Sequence, residues 1–124
     1  MQLFATFLLL ASVQAAAAWK VYLWESSTTC YQPKTRIITG AGNGVCNQFG
    51  QPIGNGCYDA IPTLPNQPCT NPAWRPHSAR IGDGSSACQI YTGDGCTGSS
   101  TRIQGTACGT VPGNGNINSF RCWN

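Results

Sequence analysis

Residues able to do chemistry are few in this chain and unevenly placed. The segment 71–80, Asn-Pro-Ala-Trp-Arg-Pro-His-Ser-Ala-Arg, gathers the only histidine, His77, with Trp74, Arg75 and Arg80. An indole face beside guanidinium groups suits a sugar ring or an anionic surface, so these four are the candidate binding residues. A structural role competes with that one: Trp74 as the plug that anchors a long loop to the core, with the arginines solvated around it. For catalysis the supply is thin. Glu25, Asp59, Asp83 and Asp94 are the only carboxylates, and none recurs at a matched place. A glycosidase needs two opposed carboxylates, and a nuclease needs a general acid and base beside a cation, for which only His77 and one of the acids could serve. No G-x-S-x-G, P-loop or H-E-x-x-H occurs, so no residue is assigned a catalytic role and no cofactor is expected.

The cysteines come next. Cys30, Cys46, Cys57, Cys69, Cys88, Cys96, Cys108 and Cys122 make an even set of 8 without a C-x-x-C pair. Zinc sites use close-set ligand pairs and usually histidine, so four disulfides are expected and no metal. The start of the chain agrees. Residues 1–18 hold no charged side chain, an apolar run over 3–11 and the small-residue tail Ala16-Ala17-Ala18, which together read as a secretory signal with cleavage between 15 and 18. The apolar run is shorter than the roughly 20 residues of a bilayer span, so no transmembrane segment is expected. Residues 19–124 then form a single cysteine-rich β domain, secreted and extracellular, in the compartment where disulfides persist.

An internal repeat organises that domain. Cys30-Tyr-Gln-Pro-Lys-Thr35-Arg36-Ile37 is matched by Cys96-Thr-Gly-Ser-Ser-Thr101-Arg102-Ile103, both C-x4-T-R-I. A β-prone segment precedes each, a second cysteine follows (Cys46, Cys108), and then a third with an aromatic after it (Cys57-Tyr58, Cys122-Trp123). Two units, about 20–58 and 88–123, are expected to cover each other's apolar faces. Repeat symmetry favours Cys30–Cys46 and Cys96–Cys108, with Cys57–Cys69 and Cys88–Cys122 preferred over Cys57–Cys122 and Cys69–Cys88.

The elements that must position these residues are strands. With 15 Gly and 8 Pro, no stretch sustains an amphipathic helix of three turns. Strands are expected over 20–25, 35–39, 87–92, 100–104 and 118–123, with glycine-rich turns at 42–44, 54–56, 82–84, 93–95 and 113–115. The stretch 50–86, with six prolines, reads as a connector wrapped over the surface and pinned by Cys57 and Cys69, and between the bounds of the two units the connector is 59–87. The fold class is therefore all-β: a small disulfide-stapled sandwich or barrel of two similar units, with a long Pro-rich connector and little or no helix.

In cysteine spacing, in its Gly/Ser/Thr/Asn richness and in Cys88-x-x-Tyr91-x-x-x-x-Cys96-x-Gly98 with the ending Asn118-Ser119-Phe120-Arg121-Cys122, the chain resembles small cysteine-rich secreted proteins of filamentous fungi. That resemblance implies an effector or an antimicrobial, killer-type protein. The stretch from Tyr91 to Gly98 is also similar to the aromatic-rich corner of βγ-crystallin Greek keys, with Cys96 where that family has an aromatic. In the first unit Trp24 is present, but Pro33 stands in the segment and the glycine is missing. The resemblance implies a β architecture and, lacking the family's acidic pattern, no calcium site.

The leading expectation is a non-enzymatic secreted protein, an effector or antimicrobial, acting on an unidentified protein, glycan or anionic component of a host or microbial surface. A carbohydrate-binding module is the alternative, motivated by Trp19, Trp24, Trp74 and Trp123; a small extracellular hydrolase such as a nuclease is the second. A net charge of +3 from seven scattered basic residues gives no basic stripe, so specific nucleic-acid binding is not expected. The protein is expected to be a monomer.

Overall fold

The computed structural model describes residues 18–51, 56–69 and 74–124. The expected secretory signal lies outside them but for its last residue, as do Pro52, two residues of the 54–56 turn and residues 71–73 of the candidate binding segment. The described residues form nine strands and no helix: β1 (Ala18–Trp24), β2 (Thr35–Ala41), β3 (Asn47–Gln48), β4 (Gly56–Ile61), β5 (Leu64–Pro68), β6 (Ser78–Ile81), β7 (Ala87–Tyr91), β8 (Ser100–Gln104) and β9 (Ser119–Trp123). They build two antiparallel sheets, ordered β5-β4-β2-β1-β6 and β3-β9-β7-β8.

Alternation along each strand supplies the core. Trp19, Val21 and Leu23 of β1 face inward with Ile38 of β2, and Ile90, Ile103 and Phe120 meet them from the second sheet. Phe49, Trp74, Val111 and Ile117 close the seam. Each such side chain contributes roughly 1.5–3 kcal/mol on burial. Trp19 meets Phe120 edge-on, with ring centroids 5.6 Å apart. Its indole lies over Gly40, where a Cβ would come within 2.2 Å of the ring, so only glycine leaves room there.

The two units share one skeleton. β1 pairs with β2 and β6, and β7 pairs with β8 and β9, in matching antiparallel ladders. After the first strand of each unit the chain folds back, residues 25–34 in one and 92–99 in the other. The Cys30 N–H donates to Ser78 Oγ at 3.2 Å, and the Cys96 N–H to Ser119 Oγ at 2.9 Å. Both cysteines hold the left-handed backbone, with φ of 56° and 58°. The third segment of each unit crosses over to the other's sheet. β3 pairs with β9, and Gly109 exchanges backbone hydrogen bonds with Ala79 of β6. Each sheet is thus finished by its neighbour's chain, so neither unit is complete alone.

This crossing corrects two of the expected bridges. Cys30 is bonded to Cys108 and Cys46 to Cys96, in place of Cys30–Cys46 and Cys96–Cys108. Cys46 and Cys108 do occupy matched positions, but they travel with the exchanged segments and reach the other unit's first cysteine. Cys57–Cys69 and Cys88–Cys122 are as expected, and no cysteine is free among the described residues.

Three further expectations change. The C-x4-T-R-I match slips by one residue in space. Counting back from the strand residues opposite Ser78 and Ser119, Val21 corresponds to Cys88, and their partners are Ile38 and Ile103. Ile103 therefore occupies the place of Ile38, not of Ile37, because the first fold-back is longer. Cys57 is not the counterpart of Cys122: it lies on β4, while Cys122 lies on β9 opposite Cys88. Nor is the Pro-rich stretch a mere surface wrap. It contributes β4 and β5, which extend the first sheet, and β6, the fourth strand of the first unit. Pro65 and Pro68 are tolerated because β5 is an exposed edge strand with no further neighbour to need their missing donors.

Candidate functional site

The four candidate residues follow one another into and along β6, but they do not converge. Trp74 is buried at 4% exposure, so its faces offer no platform to a sugar. It packs against Phe49, centroids 6.4 Å apart, and the Arg36 guanidinium covers its ring at 4.3 Å. Arg75 turns to the second unit, where Nη1 donates to Asn118 Oδ1 at 2.8 Å and to the Phe49 carbonyl at 3.4 Å. His77 is held through Nδ1 by the Glu25 carbonyl, while its own N–H donates to the Trp24 carbonyl at 2.8 Å. Arg80 sits on the outer face of the first sheet, its guanidinium 5.7 Å from the Tyr22 ring and 5.9 Å from the Trp24 ring.

His77 has a counterpart that explains it. Asn118, one residue before Ser119 as His77 is before Ser78, sends Nδ2 to the Thr92 carbonyl and its N–H to the Tyr91 carbonyl. Both side chains tie the end of a central strand to the entry of the outer strand beside it. A histidine committed in this way serves as a clamp on the fold-back.

What sequence reasoning missed lies behind Trp74. Arg36 of β2 and Asp59 of β4 are opposite each other in the ladder and point into the sandwich. Arg36 Nε and Nη2 donate to Asp59 Oδ1 and Oδ2 at 2.9 and 3.1 Å, a two-pronged pairing with both residues about 95% buried. Lys34 Nζ stands 3.6 Å from Asp59 Oδ2. Both carboxylate oxygens are thereby engaged in holding the fold. The one available signal was the period-two placement of Asp59 in Cys57-Tyr58-Asp59-Ala60, which the surrounding prolines obscured.

Above this pair, the lip of the first fold-back leaves a cavity of about 260 Å³ lined by Glu25, Ser26, Gln32, Pro33, Lys34 and Trp74. Charged and amide groups rim it, and the buried Trp74 Nε1 has no hydrogen-bond partner among the described residues. No group of three or more His, Cys, Asp or Glu that could hold a metal occurs among the described residues. Nor does any helix among them have the length and apolarity to cross a membrane. The chain matches no family model, no curated protein and no solved structure.

Proposed function

We propose that the protein is secreted and acts outside the producing cell as a non-enzymatic effector or antimicrobial protein. We further propose kinship with the small cysteine-rich secreted proteins of filamentous fungi, built on βγ-crystallin-like Greek-key units. The observation that carries this reading is the pair of crossed bridges, Cys30–Cys108 and Cys46–Cys96, which lock the two units to each other. Each closes a long loop, 78 and 50 residues, worth roughly 4–5 kcal/mol by the chain-entropy account. Such locking suits a small domain that must persist among proteases in an oxidising medium. The exchange of third segments between two like units supports the Greek-key kinship, and the commitment of both Asp59 oxygens to Arg36 favours binding over hydrolysis.

The test is a comparison of the oxidised protein with its reduced and alkylated form in microbial growth-inhibition and plant-tissue response assays. The oxidised form is expected to act and the alkylated form to be inert. Inertness of the oxidised protein across a broad panel of microbes and host tissue would overturn the proposal.

A further inference from the structure

The outer face of the second sheet has a composition that its structural role does not require. Outward positions alternate with the core residues, giving Arg102 and Gln104 on β8, Gln89 and Ala87 on β7, and Arg121 and Trp123 on β9. Register sets them in two rows across the sheet. Arg102, Gln89 and Arg121 stand side by side in one, and Gln104, Ala87 and Trp123 in the other. Ala87 is fully buried beneath its larger neighbours, and the Arg102 guanidinium reaches the Trp123 ring at 5.6 Å. The far end of the face is closed by the fold-back 92–99 and one flank by the turn at Gly44, whose carbonyl accepts from Arg121 Nη1 at 3.3 Å.

No ion pair forms on this face among the described residues. None of the four carboxylates lies on a strand of the second sheet, and the one in its fold-back, Asp94, accepts from Gln48 Nε2 at 2.8 Å. The Arg102 side chain is exposed and makes no hydrogen bond or ion pair among the described residues; its contact is the indole. The Cα atoms of Arg102 and Arg121 are two strand spacings apart, about 9–10 Å. Long cationic side chains rooted that far apart can address separate negative groups, as a charged polymer presents them. The matched positions of the first sheet hold Ile37, Tyr22 and Arg80, so the skeleton itself does not dictate the cationic row.

We propose that this face binds a carboxylated polysaccharide, a polyuronate. The exposed guanidinium fork of Arg102 matches a carboxylate on one sugar, and Arg121, whose Nε is buried and whose Nη1 is held by the Gly44 carbonyl, offers Nη2 to a carboxylate farther along the chain. The Gln89 and Gln104 amides donate to and accept from ring hydroxyls, and the Arg102–Trp123 stack offers an amphipathic surface to a sugar face. A lipid bilayer fits less well. The exposed large apolar residues among the described ones are Tyr31, Val45 and Leu64, and only Val45 borders this face, too little apolar surface to insert among acyl chains. The inference rests on the extracellular reading above but is tested without cells, so either can fail alone.

The experiment is retention of the purified, oxidised protein on immobilised polygalacturonate and on its methyl-esterified form, with salt titration. Binding is expected to polygalacturonate alone and to weaken as salt rises. R102Q is expected to weaken it several-fold and R102Q/R121Q about tenfold or more, since two linked contacts are lost. K20Q, which removes the same charge from the other sheet, should leave it unchanged. A thermal unfolding curve for each variant distinguishes lost binding from lost fold. Equal retention on the esterified polymer, an equal loss in K20Q, or binding to phosphatidylglycerol vesicles without binding to polygalacturonate would each overturn the proposal.

Discussion

The two units share a frame and differ in what was added to it. Between its third and fourth strands the first unit runs through residues 49–77, including the β4–β5 hairpin, whereas the second spans 110–118 with no strand between. The hairpin covers the edge of β2, while its counterpart β8 stays a bare edge. The arginines of the repeated T-R-I motif show the consequence. Arg36 points inward and is sealed against Asp59 of the hairpin; Arg102, in a strand set one residue differently, points outward to Trp123. A strand's side chains alternate with period two, so that slip exchanges core and surface. Identical motifs therefore carry opposite roles, and the shared frame indicates stability while the additions and slips indicate where the units diverge in use.

The largest test of this comparison separates bridges that join the units from the bridge that serves the insertion. Replacing Cys30 and Cys108 together with alanine should cost roughly 4 kcal/mol, because a 78-residue loop is released. The matching change at Cys57 and Cys69 should cost less, roughly 3 kcal/mol for a 12-residue loop. It should also leave the second unit's amides protected. Urea unfolding with hydrogen exchange measures both. Equal losses with equal spread through the molecule would mean that the hairpin is part of the common frame.

Next in size is the fate of the paired arginines. Asp59→Ala leaves Arg36 buried without its carboxylate and should cost about 3 kcal/mol. Arg102→Gln touches an exposed side chain and should stay within about 0.5 kcal/mol. Comparable losses would contradict the inward and outward placement of the two.

The serines test the frame where the units agree. Ser78→Ala and Ser119→Ala each remove the acceptor for a fold-back cysteine N–H and should cost about 1–2 kcal/mol. Ser119 should cost more, since its hydroxyl also donates to the Gly93 carbonyl at 2.6 Å. A loss at one site only would break the equivalence.

How much of this was legible beforehand follows from the same division. Every expected strand exists, because Val21, Leu23, Ile38, Ile90 and Ile103 alternate cleanly and glycine turns bound them. The third segments were not legible: β3 is two residues long, and its counterpart is a single bridge at Gly109, too short for any periodicity to register. Their exchange between sheets is a tertiary event, and that is why the crossed bridges escaped a reading based on repeat symmetry. β4 and β6 were hidden by nearby prolines, although neither strand contains one. Of the candidate binding residues, Trp74 proved to be core, the structural role weighed against its functional one. The cationic row went unnoticed because Gln89, Arg102 and Arg121 meet only through register.

The smallest effect decides what the only histidine is for. If His77 and Asn118 are equivalent clamps, the carbonyl of Glu25 needs a donor at the reach of an amide and nothing peculiar to an imidazole. His77→Asn should then be neutral within about 0.5 kcal/mol. His77→Ala, which leaves that carbonyl without its side-chain partner, should cost about 1 kcal/mol and loosen the 25–34 fold-back. Thermal unfolding and amide exchange at Cys30 report the two results together. An imidazole that worked as an acid or base would separate activity from stability: both substitutions would abolish a hydrolytic activity, while the asparagine would still preserve the fold. Retained growth inhibition in H77N, together with its restored stability, would fix the residue as part of the skeleton the two units share.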